Sequence, residues 1–159
     1  ANMVYKIFKT DGTTVKQVTN LVPGGVDIFP QPMRYAEHDG HLYLLALTTS
    51  DMNNSTKLFR INGSNLEQLS DINPGGADGQ MGAWGYKQIL SCHGVLYITS
   101  KTTDGGVFQL HMLDNNKWVR ISDSSMEITH TECFKDQVYF SGKVGTDQNL
   151  YKLINELVD

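Results

Sequence analysis

No stretch of this 159-residue chain approaches the ~20 consecutive apolar residues that cross a bilayer; its longest apolar run, Leu42 to Leu47, is the size of a strand. No membrane span is expected, and the chain reads as soluble, whether secreted, periplasmic or cytoplasmic. Charge is scarce as well. Only 19% of residues are Asp, Glu, Lys or Arg, below the ~25% usual for globular domains, and the 13 cations are scattered singly among 17 anions for a net charge of −4. Without a basic cluster to displace counterions, nucleic acid is excluded as a partner. Cysteine is nearly absent: Cys92 and Cys133 are too few for a disulfide scaffold and lack the CxxC spacing of a zinc ribbon or redox site. No GxGxxG or GxxxxGK string occurs, so Gly24-Gly25 and Gly75-Gly76 do not open a phosphate loop. The opening Ala1-Asn2-Met3-Val4 has no apolar leader core, and a leader is expected either to have been removed or never to have been present.

In place of charge the chain carries Asn, Ser, Thr, Gln and 15 Gly, residues that stabilise tight turns rather than helix interiors; its 40% hydrophobic content suffices for one core. A single all-β domain over residues 1–159 is expected. Four short strings share one pattern of aliphatic, aromatic, long polar and aliphatic residues: Val4-Tyr5-Lys6-Ile7, Leu58-Phe59-Arg60-Ile61, Val107-Phe108-Gln109-Leu110 and Leu150-Tyr151-Lys152-Leu153, at spacings of 54, 49 and 43. With a strand's period of two, the aromatic and the last aliphatic fall on one face, so this is a strand, here named C. A turn follows in the first three copies, at Asp11-Gly12, Asn62-Gly63 and Asn115-Asn116, residues that tolerate positive φ. A strand D is expected to return through Val15-Lys16-Gln17-Val18-Thr19, Leu66-Glu67-Gln68-Leu69-Ser70 and Trp118-Val119-Arg120-Ile121-Ser122. The first two copies continue into Pro23-Gly24-Gly25 and Pro74-Gly75-Gly76, each with an Asp two residues on, Asp27 and Asp78. Two further strands, A and B, flank the aligned turns Asp39-Gly40, His93-Gly94 and Lys135-Asp136. The repeat units run approximately over 4–57, 58–106 and 107–149, with a partial unit at 150–159, each of the ~45 to 55 residues of a propeller blade.

The string Lys57-Leu58-Phe59-Arg60-Ile61-Asn62-Gly63-Ser64-Asn65-Leu66-Glu67-Gln68-Leu69-Ser70 resembles the LYRINxDGSNLxxL signature of the YWTD/TolB-like β-propellers. Phe8-Lys9-Thr10-Asp11-Gly12-Thr13, then Pro23-Gly24-Gly25, then Gly40-His41-Leu42-Tyr43-Leu44, is similar to the bacterial repeat proteins of the ELWKTDGT…PGG…GxLYF type. The third unit lacks the PGG loop and no complete YWTD tetrad is present. The resemblance implies a propeller fold and no particular function, because propellers host many.

In order the strands read C-D, A-B-C-D, A-B-C-D, A-B-C: thirteen strands, about three four-stranded antiparallel meander blades. A propeller needs at least four blades to surround its axis. A half-propeller completed by homodimerisation is therefore expected, because an open half-ring leaves apolar faces and free edges in water. The alternative is a β-trefoil, which closes as a monomer.

Dense polar clusters fall where the repeat already demands a turn. Glu37-His38-Asp39-Gly40-His41 has the ligand types for Zn²⁺ or Ca²⁺, yet it aligns with His93-Gly94 and Lys135-Asp136, so neither metal nor cofactor is assigned. Cys92 and His93 are adjacent in a strand and point to opposite faces, a poor geometry for a thiolate and its base; no catalytic residue is assigned. Cys92 aligns with His38 and Phe134, and Cys133 with Glu37 and Ser91, so the thiols sit at successive positions of neighbouring A strands and no disulfide is expected. Tyr5, Phe59, Phe108 and Tyr151 are expected in the core, with Tyr43, Tyr97 and Tyr139. The D-to-A and B-to-C loops, 20–33, 71–86, 48–56 and 101–106, emerge at one end of the blades. There Asp27, Arg34, Asp78, Gln80 and Trp84 are expected to line or flank a binding surface for a glycan or protein ligand, Trp84 offering an apolar ring with a polar handle. The chain is thus read as a non-enzymatic, oligomeric binding module. A hydrolase or lyase acting on a glycan or small molecule at the same loop end is the alternative.

Overall fold

The computed structural model describes residues 6–23, 27, 35–49, 56–63, 65–78, 89–103, 106–115 and 117–154. Among them are thirteen strands and no helix, in four separate antiparallel sheets. The first sheet pairs β1 (Phe8–Thr10) with β2 (Val15–Gln17). The second is the meander β3 (Tyr35–His38), β4 (His41–Leu47), β5 (Thr56–Asn62) and β6 (Asn65–Gln68), and the third repeats that order with β7 (Ile89–Cys92), β8 (Val95–Ser100), β9 (Gln109–Asp114) and β10 (Lys117–Arg120). The fourth holds β11 (Glu127–Phe134), β12 (Gln137–Val144) and β13 (Asp147–Lys152). The expected all-β class and its division into two, four, four and three strands are what the chain forms. Among the described residues no sheet closes on itself.

The turns explain this punctuation. Both central residues have positive φ at Asp39-Gly40, His93-Gly94 and Lys135-Asp136, the geometry of two-residue hairpins whose twist matches that of their strands. Asp11 fixes the β1–β2 hairpin from below. Its carboxylate accepts the Thr14 and Thr13 amides and the Thr14 hydroxyl, and these bonds hold its pKa down at about 2.

Each inner sheet buries both faces, because alternate residues of one strand go to opposite neighbours. On β4, Leu44 and Ala46 join Phe59 against Ile7 and Leu21 of the first sheet's segment, while Tyr43 and Leu45 join Leu58 against Ile89, Leu96 and Ile98 of the third sheet. The apolar run Leu42 to Leu47 is therefore a strand wet on neither side, each buried Leu contributing roughly 1.5–3 kcal/mol. Leu90, Cys92, Tyr97 and Leu110 then meet Ile128, Val138 and Phe140 of the fourth sheet. The stacking converges on the A strands, with β7 lying against β3 on one side and β11 on the other.

Two expectations need correction. The first concerns register: Leu45 pairs with Leu58, Thr99 with Leu110 and Ser141 with Leu150, each five residues beyond its A–B turn. Leu58, Leu110 and Leu150 are thus equivalent, so the third C string is slipped by three residues. β9 starts at Gln109, and Phe108 lies just before it, half-buried. The first string is slipped likewise, Lys6-Ile7-Phe8 matching Lys57-Leu58-Phe59. Tyr5 lies outside the described residues.

The second correction is the disulfide. Cys92 and Cys133 are bonded, with Cα atoms 5.6 Å apart. An offset of one between stacked strands is what lets them meet: Cys92 points from the third sheet toward the fourth, and Cys133, one position earlier on its own strand, points back. The same geometry one seam earlier brings His38 Nδ1 to 3.0 Å from Ser91 Oγ. A bridge across a sequence separation of 41 restricts the unfolded chain by about 4 kcal/mol.

Candidate functional site

Asp27 and Asp78, expected at the surface of the loop end, are fully buried. Each ties down its own loop. Asp78 Oδ1 accepts the Asn73 amide at 2.8 Å and lies 3.1 Å from Lys57 Nζ, and Oδ2 accepts the Ser70 hydroxyl at 2.5 Å. Lys57 completes its three donors with the Asn73 carbonyl at 2.8 Å and Asp71 Oδ1 at 2.6 Å. Fifty-one residues earlier the pattern recurs: Asp27 Oδ1 accepts the Val22 amide and Lys6 Nζ, both at 2.7 Å, and Lys6 also reaches the Val22 carbonyl at 2.6 Å. Thr19 and Ser70 play one part, their hydroxyls accepting the amides of Ile7 and Leu58. The first clamp is poorer, with Asn20 where Asp71 stands in the second; among the described residues Asp27 Oδ2 has no hydrogen-bond partner. Lys6 and Lys57 have no role in the reading from sequence, although their spacing equals that of Asp27 and Asp78 and of the two PGG strings.

Arg34, Gln80 and Trp84 lie outside the described residues, as do most of 20–33 and 71–86 beyond Asp78. Asp71 and Ile72 from one of the expected loops and Thr102 from another do come together, at the outer seam between the second and third sheets. They border a groove of about 430 Å³ whose remaining walls are His111, Lys117, Trp118 and Arg120. Trp118 is anchored by donating Nε1–H to the Leu69 carbonyl at 3.1 Å, and with Leu69, Ile72 and Leu113 it packs onto the buried cluster between the second and third sheets. Lys117 and Arg120, on the exposed strand β10, give the groove a cationic wall. His111 closes its floor, with Nδ1 at 2.9 Å from Ser100 Oγ and 3.2 Å from the Gln109 carbonyl. Since a carbonyl only accepts, Nδ1 carries the proton. Burial lowers the His111 pKa and the Arg120 charge lowers it further, so the ring is held neutral beside the two cations.

No protein family, curated protein or solved structure matches the chain. The groove therefore has to be read from its chemistry. An indole beside a guanidinium and an ammonium suits an anionic group carried on an apolar or sugar-like body. The third D strand is where the sequence signalled it, placing Trp118 and Arg120 where the earlier D strands carry Val15 and Gln17 or Leu66 and Gln68. At the Glu37 to His41 turn, His41 Nδ1 meets the Asp39 carbonyl at 2.8 Å and His38 is engaged with Ser91. Among the described residues no three His, Cys, Asp or Glu side chains are placed to hold a metal ion, and no helix is long and apolar enough to cross a membrane.

Proposed function

We propose that the chain is a non-enzymatic, propeller-like binding module that associates with further copies of itself and takes an acidic saccharide in the groove at Trp118. The observation that carries the ligand assignment is the division of charge: Asp27 and Asp78 are consumed inside the fold by Lys6 and Lys57, whereas Lys117 and Arg120 stand exposed at the groove beside an indole. The propeller-like part is supported by the two complete meanders, the face-to-face stacking and the convergence of β3, β7 and β11. The Cys92–Cys133 bridge favours an oxidising compartment.

The test is a titration with a sulfated oligosaccharide and its neutral counterpart, followed by backbone amide shifts. The acidic sugar is expected to move the amides of β9 and β10 and to bind at least tenfold more weakly to an Arg120→Ala, Lys117→Ala double variant, as for the loss of two charge-assisted bonds. Equal binding of the neutral sugar, or no shift in β10, would remove the ligand assignment. Cleavage of the sugar would restore the hydrolase alternative.

A further inference from the structure

The two ends of the stack expose the residues that every inner sheet buries. Leu58 and Leu110 occupy one ladder position and are 0% and 1% exposed, each covered by the following sheet; Leu150 occupies it in the fourth sheet and is 75% exposed. Tyr43 and Tyr97, three residues past their turns, are buried in the same two seams, and Tyr139 in the fourth sheet is only half-buried. Phe134 stands where Cys92 and His38 enter their seams, and its exposed ring leans edge-on against Tyr139 at 6.4 Å between centroids. At the other end, Phe59 points toward the preceding sheet and is 4% exposed, whereas Phe8, its equivalent 51 residues earlier, is 56% exposed. Val15 and Leu66 show the same contrast: Leu66 packs into the seam with the first sheet, and Val15 is exposed.

Every sheet in the stack thus has a leading face, built on the Phe59 position, and a trailing face, built on the Leu58 and Tyr43 positions. Each seam is formed from one trailing and one leading face. Among the described residues the two faces left open are one of each kind. Building on the association proposed above, we infer that the trailing face of the fourth sheet, Phe134, Tyr139 and Leu150, receives the leading face of the first sheet, Phe8 and Val15, of a second copy of this chain. The contact continues the sheet-on-sheet packing already present at the three internal seams. It is heterologous, since unlike faces meet, and applied reciprocally by two copies it closes a two-fold ring with two identical seams and no open face.

Two variants and their mixture decide the matter. Phe8→Asp and Leu150→Asp place a charge on opposite ends of the stack, and because both side chains are exposed, each variant is expected to keep the melting temperature of the parent monomer. In sedimentation at micromolar concentration the parent chain is expected to be a dimer and each variant a monomer, because either change spoils both seams of the ring. Mixing the two variants is expected to regenerate a heterodimer, held by the one seam in which the intact Phe8 of one chain meets the intact Leu150 of the other. If one variant stays dimeric while the other dissociates, like faces meet and the head-to-tail pairing is overturned while association stands. If both dissociate and the mixture stays monomeric, the pairing is likewise overturned. A parent chain that is monomeric at hundreds of micromolar would remove the association itself.

Discussion

After β6 the chain turns beneath a buried ammonium; after β10 it turns beneath a buried amide. Lys57 and Asp78 close the first of these loops, whereas Gln109, in the place of Lys57, donates to the Ser124 carbonyl at 2.6 Å, and Ile128 takes the place of Asp78. The main-chain framework is shared: the Asp78 amide donates to the Thr56 carbonyl and the Ile128 amide to the Phe108 carbonyl, at 2.8 and 2.7 Å. Cation and carboxylate have therefore been replaced together. Physical chemistry requires as much, because a buried charge is tolerable with its partner and costly without it, while an apolar or neutral pair of similar size is tolerated.

The strongest way to break this contrast is Asp78→Ala, which leaves the exposed Asp71 as the one carboxylate beside Lys57 and strips the Asn73 amide and Ser70 hydroxyl of the Asp78 acceptor. A loss of about 3–5 kcal/mol is expected in chemical denaturation. Asp27→Ala should cost less, since Asp27 Oδ2 has no partner to lose among the described residues. The double change Lys57→Gln, Asp78→Ile imports the third sheet's solution and should recover about half of the Asp78→Ala loss; a double variant no better than the single one would show that the two loops are not interchangeable.

A smaller effect separates the sheets by pH. The third sheet carries His111 where the second carries Phe59, and burial lowers the His111 pKa below its unfolded value near 6.5. The folded state then binds fewer protons than the unfolded chain, so this contribution is complete above about pH 6.5 and is lost as pH falls through that value toward the folded pKa. Relative to intrinsic exchange rates, amide protection in β9 should fall on mild acidification before that in β5, and His111→Gln should remove the difference. The least effect is expected at Asp123, the counterpart of Asp71. With no lysine above it, its carboxylate accepts the Ser125 hydroxyl and amide at the surface, and these bonds lower its pKa. Asp123→Asn should leave the melting temperature nearly unchanged, while carboxyl NMR of the parent shows Asp123 titrating below the ordinary carboxylate range.

The strands and turns were legible in the sequence because hairpin chemistry is local: Asp-Gly, Asn-Gly and His-Gly announce themselves without reference to the rest of the chain. Register was less so. A pattern of aliphatic, aromatic and polar residues fits a strand equally well when slid along it, and two of the four C strings were read three residues out of place. The slip set Lys6 opposite Arg60 instead of Lys57, which hid the clamps and left Asp27 and Asp78 looking like free loop carboxylates. The 51-residue spacing shared by the PGG strings, by Asp27 and Asp78, and by the turns Asp11-Gly12 and Asn62-Gly63 carried the correct register. The groove was half legible: Trp118 and Arg120 mark its wall locally on the third D strand, but that Asp71 of the preceding meander faces them is a cross-sheet proximity with no local signature.

The bridge between Cys92 and Cys133 also changes how the molecule carries load. Pulled from its two ends, the oxidised chain cannot pay out the 41 residues between the sulfurs, which hides about 140 Å of contour length from the force. At the equivalent place in the neighbouring seam, the His38 and Ser91 side chains offer no such stop. Of the stack's three seams, the one between the third and fourth sheets is thus closed by a covalent bond, and the fourth sheet, three-stranded among the described residues and exposed on its outer face, stays tethered under tension.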